Sequence, residues 1–223
     1  MGNRAVLTSF KGSEALYGGV ISNDYLGIYL HWNGGRDSVE AFLKYCELQD
    51  IPSIEKGDYA LARMCQVIGN FFGGTLSIGI DKLNKLDYDN GDNGVYVIEN
   101  NTIIGRRFFE EIDGEQQEYD LKDMLYSIDL KQPSSYQFGE DIKKIELLDW
   151  HEIELGDYVY LESRGFDKRW EKYEVVGFKE EPIGPSGSLV CKYPVINKYE
   201  GNNVNNILGK YGNEKYKVIK INN

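Results

Sequence analysis

A strand, a turn and the start of a helix follow one another in the stretch YLHWNGGRD, residues 29–37. Aromatic and apolar residues lead to a Gly-Gly pair that interrupts the strand. Asp37 then precedes Glu40 by three residues, which is the spacing that satisfies free backbone N–H groups at a helix start. The stretch therefore predicts a strand over residues 26–32, and a helix over residues 38–49 with Asp37 as its cap.

The pattern extends in both directions from this stretch. Residues 4–10 form a second apolar run and predict a strand that pairs with residues 26–32. A wide apolar stripe over residues 60–72, which follows Gly57-Asp58 and is stopped by two glycines, predicts a buried second helix. Residues 75–80 predict a further strand.

Two elements close this part of the chain. Asn100 and Asn101 separate two apolar runs over residues 95–109, and their tolerance of positive φ angles predicts a tight hairpin. Asp120 is placed to cap a third helix, which Pro133 ends.

The pattern changes after a polar segment at residues 136–142, which predicts a linker. Five short alternating runs and no helical pattern follow it over residues 143–223. Gly156-Asp157 before one of these runs resembles the opening turn of an SH3-like barrel. The predicted fold class is α+β: a mixed or antiparallel sheet with about three helices over residues 1–135, and a small β-rich, SH3-like module.

Composition restricts the class of protein. The chain has 223 residues, a net charge of −11 and an aromatic content of 13%, which is typical of a folded acidic protein. No run approaches the roughly 18 apolar residues of a membrane span. Cys46, Cys65 and Cys191 show no C-x-x-C spacing, which argues against a disulfide framework or zinc site. We expect a cytoplasmic protein that does not interact with membranes.

Sequence motifs give no positive sign of an enzyme. The chain lacks a nucleophile elbow, a phosphate-binding loop, a dinucleotide fingerprint and a zinc-protease motif. Its two histidines, His31 and His151, fall in different predicted domains, so no histidine-rich metal site is expected. We predict no metal and no cofactor.

The turn after residue 32 is the first candidate site. A strand-to-helix turn exposes backbone N–H groups that bind anions, and Arg36 adds positive charge there. His31 would act as a general base or hydrogen-bonding residue, and Asn33 as a polar positioning group. Trp32 and Arg4 are predicted to contribute to binding. The alternative is that these residues pack at the strand end and that the glycines only redirect the chain.

The acidic stretch at residues 87–94 is the second candidate. It superficially resembles an EF-hand calcium loop, but the sixth position is Asp92 where glycine is needed, and the twelfth is Ile98 where glutamate is needed. Asp89 and Asp92 are candidate binding residues. Turn chemistry alone also explains an Asn-, Asp- and Gly-rich stretch before a hairpin.

Three motifs carry a resemblance to other proteins. MGNRAV (residues 1–6), YLHWNGGR (residues 29–36) and NGDNGV (residues 90–95) are similar to a group of uncharacterised proteins carried by phages and mobile elements of Gram-positive bacteria. The resemblance covers mainly residues 1–135. It implies a role against host defence, of the kind that anti-CRISPR proteins have.

Two functions from different classes are therefore predicted. In the first, a non-enzymatic inhibitor uses its acidic surface as a DNA mimic to bind a host defence nuclease, or that nuclease's nucleic-acid complex, in the bacterial cytoplasm. The same surface would repel nucleic acid itself. In the second, a small enzyme or ligand-binding protein has its site around His31, Asn33 and Arg36. The oligomeric state is left open.

Overall fold

The structure is a computed structural model that describes residues 3–9, 25–107, 119–148, 154–162, 170–183, 189–198, 206–207 and 218–221. The chain divides between Pro133 and Ser134 into two units. The first unit contains every residue that the sequence predicts for a site. His151 lies outside the described residues.

The first unit combines a sheet with helices. Its described strands are β1 (Ala5–Thr8), β2 (Leu26–Leu30), β3 (Ile78–Lys82), β4 (Val95–Glu99) and β5 (Thr102–Arg107), and its described α-helices are α1 (Arg36–Leu48), α2 (Asp58–Phe72) and α3 (Leu121–Leu130). The five strands are ordered β3-β2-β1-β4-β5. Strands β1 and β4 are parallel, and the other neighbours are antiparallel. The predicted α+β class is confirmed, with a mixed sheet and three helices among the described residues.

The helices cover one face of this sheet, which we call the inner face. Leu7 on β1 lies opposite Ile28 on β2 and Tyr96 on β4, and all three side chains are buried. Helix α1 contacts β5, and α2 contacts β2 and β3. The guanidinium carbon of Arg36, the first residue of α1, lies 5.7 Å from the ring centroid of Tyr96.

The chain between β3 and β4 covers the other face, the outer face. We call residues 83–94 the outer segment. On β1, Val6 lies opposite Tyr29 and Val95. The apolar side chains of the outer segment pack on these three residues, and they are Leu83, Leu86 and Tyr88. Because strand neighbours alternate between faces, Tyr29 and Tyr96 point to opposite sides of the sheet.

The predicted cap of α1 is wrong. Helix α1 begins at Arg36 after Gly35, and no side chain caps its first N–H groups. Asp37 lies within the first turn, where its Oδ1 accepts from the backbone N–H of Ser38 at 2.8 Å and its Oδ2 from that of Tyr119 at 2.5 Å. The carboxylate still favours the positive end of the helix dipole, and it also ties the start of α1 to the chain before α3.

The hairpin is confirmed, and the strand before it is displaced. Asn100 and Asn101 have φ angles of 49° and 52°, which is the conformation that a two-residue turn between β4 and β5 requires. Strand β3 begins at Ile78, three residues later than predicted, because residues 75–77 form a turn in which the N–H of Ser77 donates to the carbonyl of Thr75 at 2.8 Å.

The second unit is a β-sheet. Its described strands are β6 (Ile145–Leu148), β7 (Tyr158–Glu162), β8 (Trp170–Ile183), β9 (Leu189–Lys198), β10 (Asn206–Ile207) and β11 (Val218–Ile221). They form one six-stranded sheet in the order β10-β9-β8-β7-β11-β6, with all described neighbours antiparallel. Residues 136–142, predicted as a linker, belong to this unit and bury Phe138 and Ile142.

The predicted cap of helix α3 is confirmed, and its contribution to stability can be measured. The Asp120 side chain caps α3 by accepting from the backbone N–H groups of Lys122 and Asp123. Asp120→Ala removes the acceptor, and we expect it to lower the free energy of unfolding by about 1 kcal/mol. Asp120→Asn keeps an acceptor and serves as the control, with a change of a few tenths of a kcal/mol. Urea unfolding measures both, and equal losses in the two variants would contradict the capping role.

Candidate functional site

The Gly-Gly turn redirects the chain from the sheet into α1. Beyond the end of β2, the N–H of His31 donates to the carbonyl of Ser77 at 2.9 Å. Asn33 adopts a positive φ of 54°, and its Nδ2 lies 3.5 Å from Oγ of Ser38. The N–H of Gly34 donates to the carbonyl of Asn3 at 2.8 Å. The turn is therefore attached to the N-terminal strand before the helix begins.

Gly34 is required at this point by space. A Cβ atom on Gly34 would lie 2.6 Å from the backbone N of Ala5, 2.6 Å from the carbonyl carbon of Arg4 and 2.7 Å from the carbonyl oxygen of Asn3. These are backbone atoms that no side-chain rotation can move. A glycine allows two backbones to approach this closely.

The loop that precedes β4 reaches the same place. The N–H of Asn93 donates to the carbonyl of Arg4 at 3.1 Å, and Nδ2 of Asn93 donates to Oδ1 of Asn3 at 2.7 Å. Asn3 and Asn93 are both buried. Residues from the three sequence motifs therefore meet in one place, which we call the motif junction, and its members are Asn3, Arg4, Gly34, Asp92 and Asn93.

An ion pair completes the motif junction. Oδ2 of Asp92 accepts from Nε of Arg4 at 2.6 Å and from the backbone N–H of Arg4 at 3.0 Å. The Asp92 side chain is 8% exposed, and that of Arg4 is 32% exposed. The hydrogen bond with Asp92 raises the pKa of the Arg4 guanidinium. A second carboxylate, that of Asp87, lies 3.5 Å from Nη1 of Arg4 and is 52% exposed.

Turn chemistry shapes the loop itself. Oδ1 of Asn90 accepts from the backbone N–H groups of Asp92 and Gly94, at 3.0 and 3.1 Å. Gly91 and Gly94 have φ angles of 69° and 70°. Asp89, a predicted binding residue, is exposed. Within the described part of the chain, no group of three or more His, Cys, Asp or Glu residues could hold a metal ion.

An aromatic cluster extends from the end of β2. The Tyr29 hydroxyl lies 3.3 Å from Nδ1 of His31, and the His31 ring makes a T-shaped contact with Trp32 at a centroid distance of 5.0 Å. Trp32 is 45% exposed. Burial, helped by the negative charge of Asp87, raises the pKa of Tyr29. Its hydroxyl therefore stays protonated at neutral pH and can donate to His31.

The structure does not bring His31 and Arg36 together. His31 lies beside Tyr29 on the outer face, whereas Arg36 lies over Tyr96 on the inner face. Nη1 of Arg36 also donates to Oε1 of Glu40 at 3.2 Å. Asn33 lies between them in the chain, with its side-chain nitrogen directed towards helix α1.

Sequence reasoning missed four residues of this region: Asn3, Tyr29, Asp87 and Asn93. Tyr29 was detectable, because residues two apart on a strand share a face and His31 was already a candidate. The buried pair of Asn3 and Asn93 had no comparable signal, since it depends on the parallel pairing of β1 with β4.

The two cysteines of the first unit, Cys46 and Cys65, favour the thiol form. Burial raises the pKa of Cys46 and of Cys65 to about 12. The reactive thiolate form is therefore scarce at neutral pH.

Comparisons with known proteins identify no family for this chain. The chain matches no protein-family model, no curated protein and no solved structure. Among the described helices, none is long and apolar enough to cross a membrane.

Because two backbones approach closely at Gly34, the addition of one methyl group there should lower the stability of the protein strongly. Gly34→Ala forces the two backbones apart, and we expect it to lower the free energy of unfolding by about 3 kcal/mol. Gly69→Ala is the matched control, because a Cβ atom there meets nothing within 4 Å. Inside α2 this change should raise stability by about 0.5–1 kcal/mol. Urea unfolding followed by circular dichroism compares them, and a Gly34→Ala variant as stable as the wild type would contradict the close packing.

Proposed function

We propose that this chain is an accessory protein of a phage or mobile element that inhibits a host defence nuclease by binding it without catalysis. It would act in the bacterial cytoplasm, in the manner of an anti-CRISPR protein. The resemblance of the three motifs and the net charge of −11 support this role. Nucleases that act on DNA or RNA present basic grooves, to which an acidic protein is attracted at long range.

The arrangement of the outer segment is the strongest support for the proposed inhibition of a nuclease. Leu83, Leu86 and Tyr88 point into the sheet, whereas Asp87 and Asp89 between and beyond them are exposed. Asp81, at the end of β3, is exposed as well. We call Asp81, Asp87 and Asp89 the outer carboxylates. This part of the unit therefore exposes three carboxylates, beside the exposed Lys82 and Lys85, and exposed carboxylates are what a mimic of a nucleic-acid backbone needs.

The contacts of the motif junction favour binding over catalysis. Arg4 and Asp92 bind each other, and the amides of Asn90 and Asn93 bind backbone groups and Asn3. These polar groups hold the fold together. The groups accessible at this end of the unit include the Trp32 ring and the carboxylates of Asp87 and Asp89, which suit the surface of a partner protein.

The proposal includes an SH3-like barrel fold for the second unit. At its opening turn Gly156 has a φ of 88°. The N–H of Gly156 donates to the carbonyl of Val175, and the N–H of Val175 donates to the carbonyl of Asp157, each at 2.8 Å. This reciprocal pair supports the Gly-Asp turn on which the barrel prediction depends.

A second candidate function is a small-ligand or enzyme site around His31 and Asn33. The contact between Tyr29 and Nδ1 of His31 favours it, because a hydroxyl that donates to Nδ1 selects the tautomer with the proton on Nε2, and that N–H can then donate to a ligand. A small molecule that stabilises the wild-type chain but not a His31→Ala variant would favour this function over nuclease inhibition.

A cleavage assay tests the principal proposal. Purified CRISPR effector nucleases from Gram-positive bacteria are incubated with target DNA and increasing amounts of the chain, at low and at high salt. We expect inhibition of at least one nuclease that weakens at high salt, because the attraction is electrostatic. Replacing the outer carboxylates by asparagine should raise the concentration needed for half-inhibition by about tenfold.

The matched control removes the same charge elsewhere. Glu40 and Glu47 lie on α1 and Asp123 on α3, and changing these three to their amides should alter inhibition by less than about twofold. Absence of inhibition for every nuclease, or equal losses in the two triple variants, would overturn the proposal.

A further inference from the structure

We propose that the exposed end of β2 is the point at which the partner is bound, and that it accepts a short arginine-rich segment of that partner. The site, which we call the aromatic–acidic patch, consists of Tyr29, His31, Trp32 and Asp87. This assignment depends on the proposed function and specifies which part of the acidic surface recognises the partner.

The patch is continuous. The carboxylate of Asp87 lies 3.5 Å from Nη1 of Arg4, and the charge of Arg4 influences Tyr29. The Tyr29 hydroxyl lies 3.3 Å from His31, whose ring contacts Trp32 at 5.0 Å. The exposed groups of the patch are therefore the Trp32 ring on one side of Tyr29 and the Asp87 carboxylate beside Arg4 on the other.

The patch is also held rigidly. Trp32 is separated by one residue from Gly34, which the backbone of residues 3–5 clamps on three sides. His31 is fixed by its backbone hydrogen bond to Ser77. A large aromatic side chain that is 45% exposed on a fixed backbone loses little conformational freedom when a partner binds, and tryptophan is enriched among residues that dominate binding energy.

The chemistry of the patch selects arginine. An arginine-rich segment can stack one guanidinium on an indole ring and pair another with a carboxylate, and an ammonium group does both less well. Arg4 pairs with both carboxylates, but the Asp87 side chain is 52% exposed and that of Asp92 only 8%, so Asp87 is the one that a second guanidinium can reach. The net charge of −11 attracts a basic segment to this surface.

Heteronuclear NMR with a synthetic octa-arginine peptide tests the patch directly on the full-length, isotope-labelled chain. We expect a saturable shift of the Trp32 indole N–H resonance and of the backbone amides of Gly34 and Gly35. Trp32→Ala should raise the Kd for the peptide by about five- to tenfold, and Asp87→Asn by about threefold. Octa-lysine should bind more weakly than octa-arginine and depend less on Trp32.

Tyr59→Ala is the control for removal of an exposed aromatic ring. Tyr59 is 69% exposed on α2, where its ring contacts Arg63, and its loss should leave the Kd unchanged. Peptide binding that leaves the Trp32 resonance in place, or equal affinities of the Trp32→Ala and Tyr59→Ala variants, would overturn the assignment. The wild-type shifts decide the matter even if Trp32→Ala fails to fold.

The nuclease assay separates this inference from the proposed function. If the wild-type chain inhibits a nuclease and a folded Trp32→Ala variant inhibits it equally, the patch assignment fails and the proposed function stands. If octa-arginine binds through Trp32 but no nuclease is inhibited, the proposed function fails and the patch remains a binding site for arginine-rich segments.

Discussion

The close contact between Gly34 and the backbone of Asn3, Arg4 and Ala5 determines how the first unit is assembled. It fixes the point where the chain leaves the sheet and enters α1, because no larger residue fits between the two backbones. The loop before β4 is attached to the same strand by Asn93, which sets β4 parallel to β1 at the centre of the sheet. One small junction thus positions the inner helices and the outer segment together.

In this arrangement, the polar side chains that stabilise the fold are different from the side chains that are exposed to solvent. Polar residues of the motifs, such as Arg4 and Asp92, are largely occupied by one another, so their chemistry stabilises the fold. Accessible groups lie at the margin of the junction, where Trp32 follows the strand and Asp87 and Asp89 line the outer segment. Since these side chains are attached to this junction, the proposed partner would bind them without the entropic cost of ordering a loop.

Local sequence signals predicted the local structure well. The Asn100-Asn101 turn and the Asp120 cap were both predicted, because each depends on a few neighbouring residues. The predicted cap of α1 was wrong because the helix begins at Arg36, one residue before Asp37, and the Asp37 carboxylate bonds instead to Ser38 and to the distant Tyr119. The motif junction was only partly predictable. The Gly-Gly pair and Arg4 were candidates from the sequence, but their contacts with Asn93 depend on the pairing of two strands, which no local pattern encodes.

A double-mutant cycle between Arg4 and Asp92 tests most directly whether the motifs form one energetic unit. Arg4→Ala, Asp92→Ala and the double variant are unfolded in urea beside the wild type. The contact at 2.6 Å between a largely buried carboxylate and a guanidinium predicts that the losses are not additive, with a coupling free energy of about 1–2 kcal/mol. Additive losses, within about 0.3 kcal/mol, would show that the two motifs are neighbours without being coupled and would contradict the account.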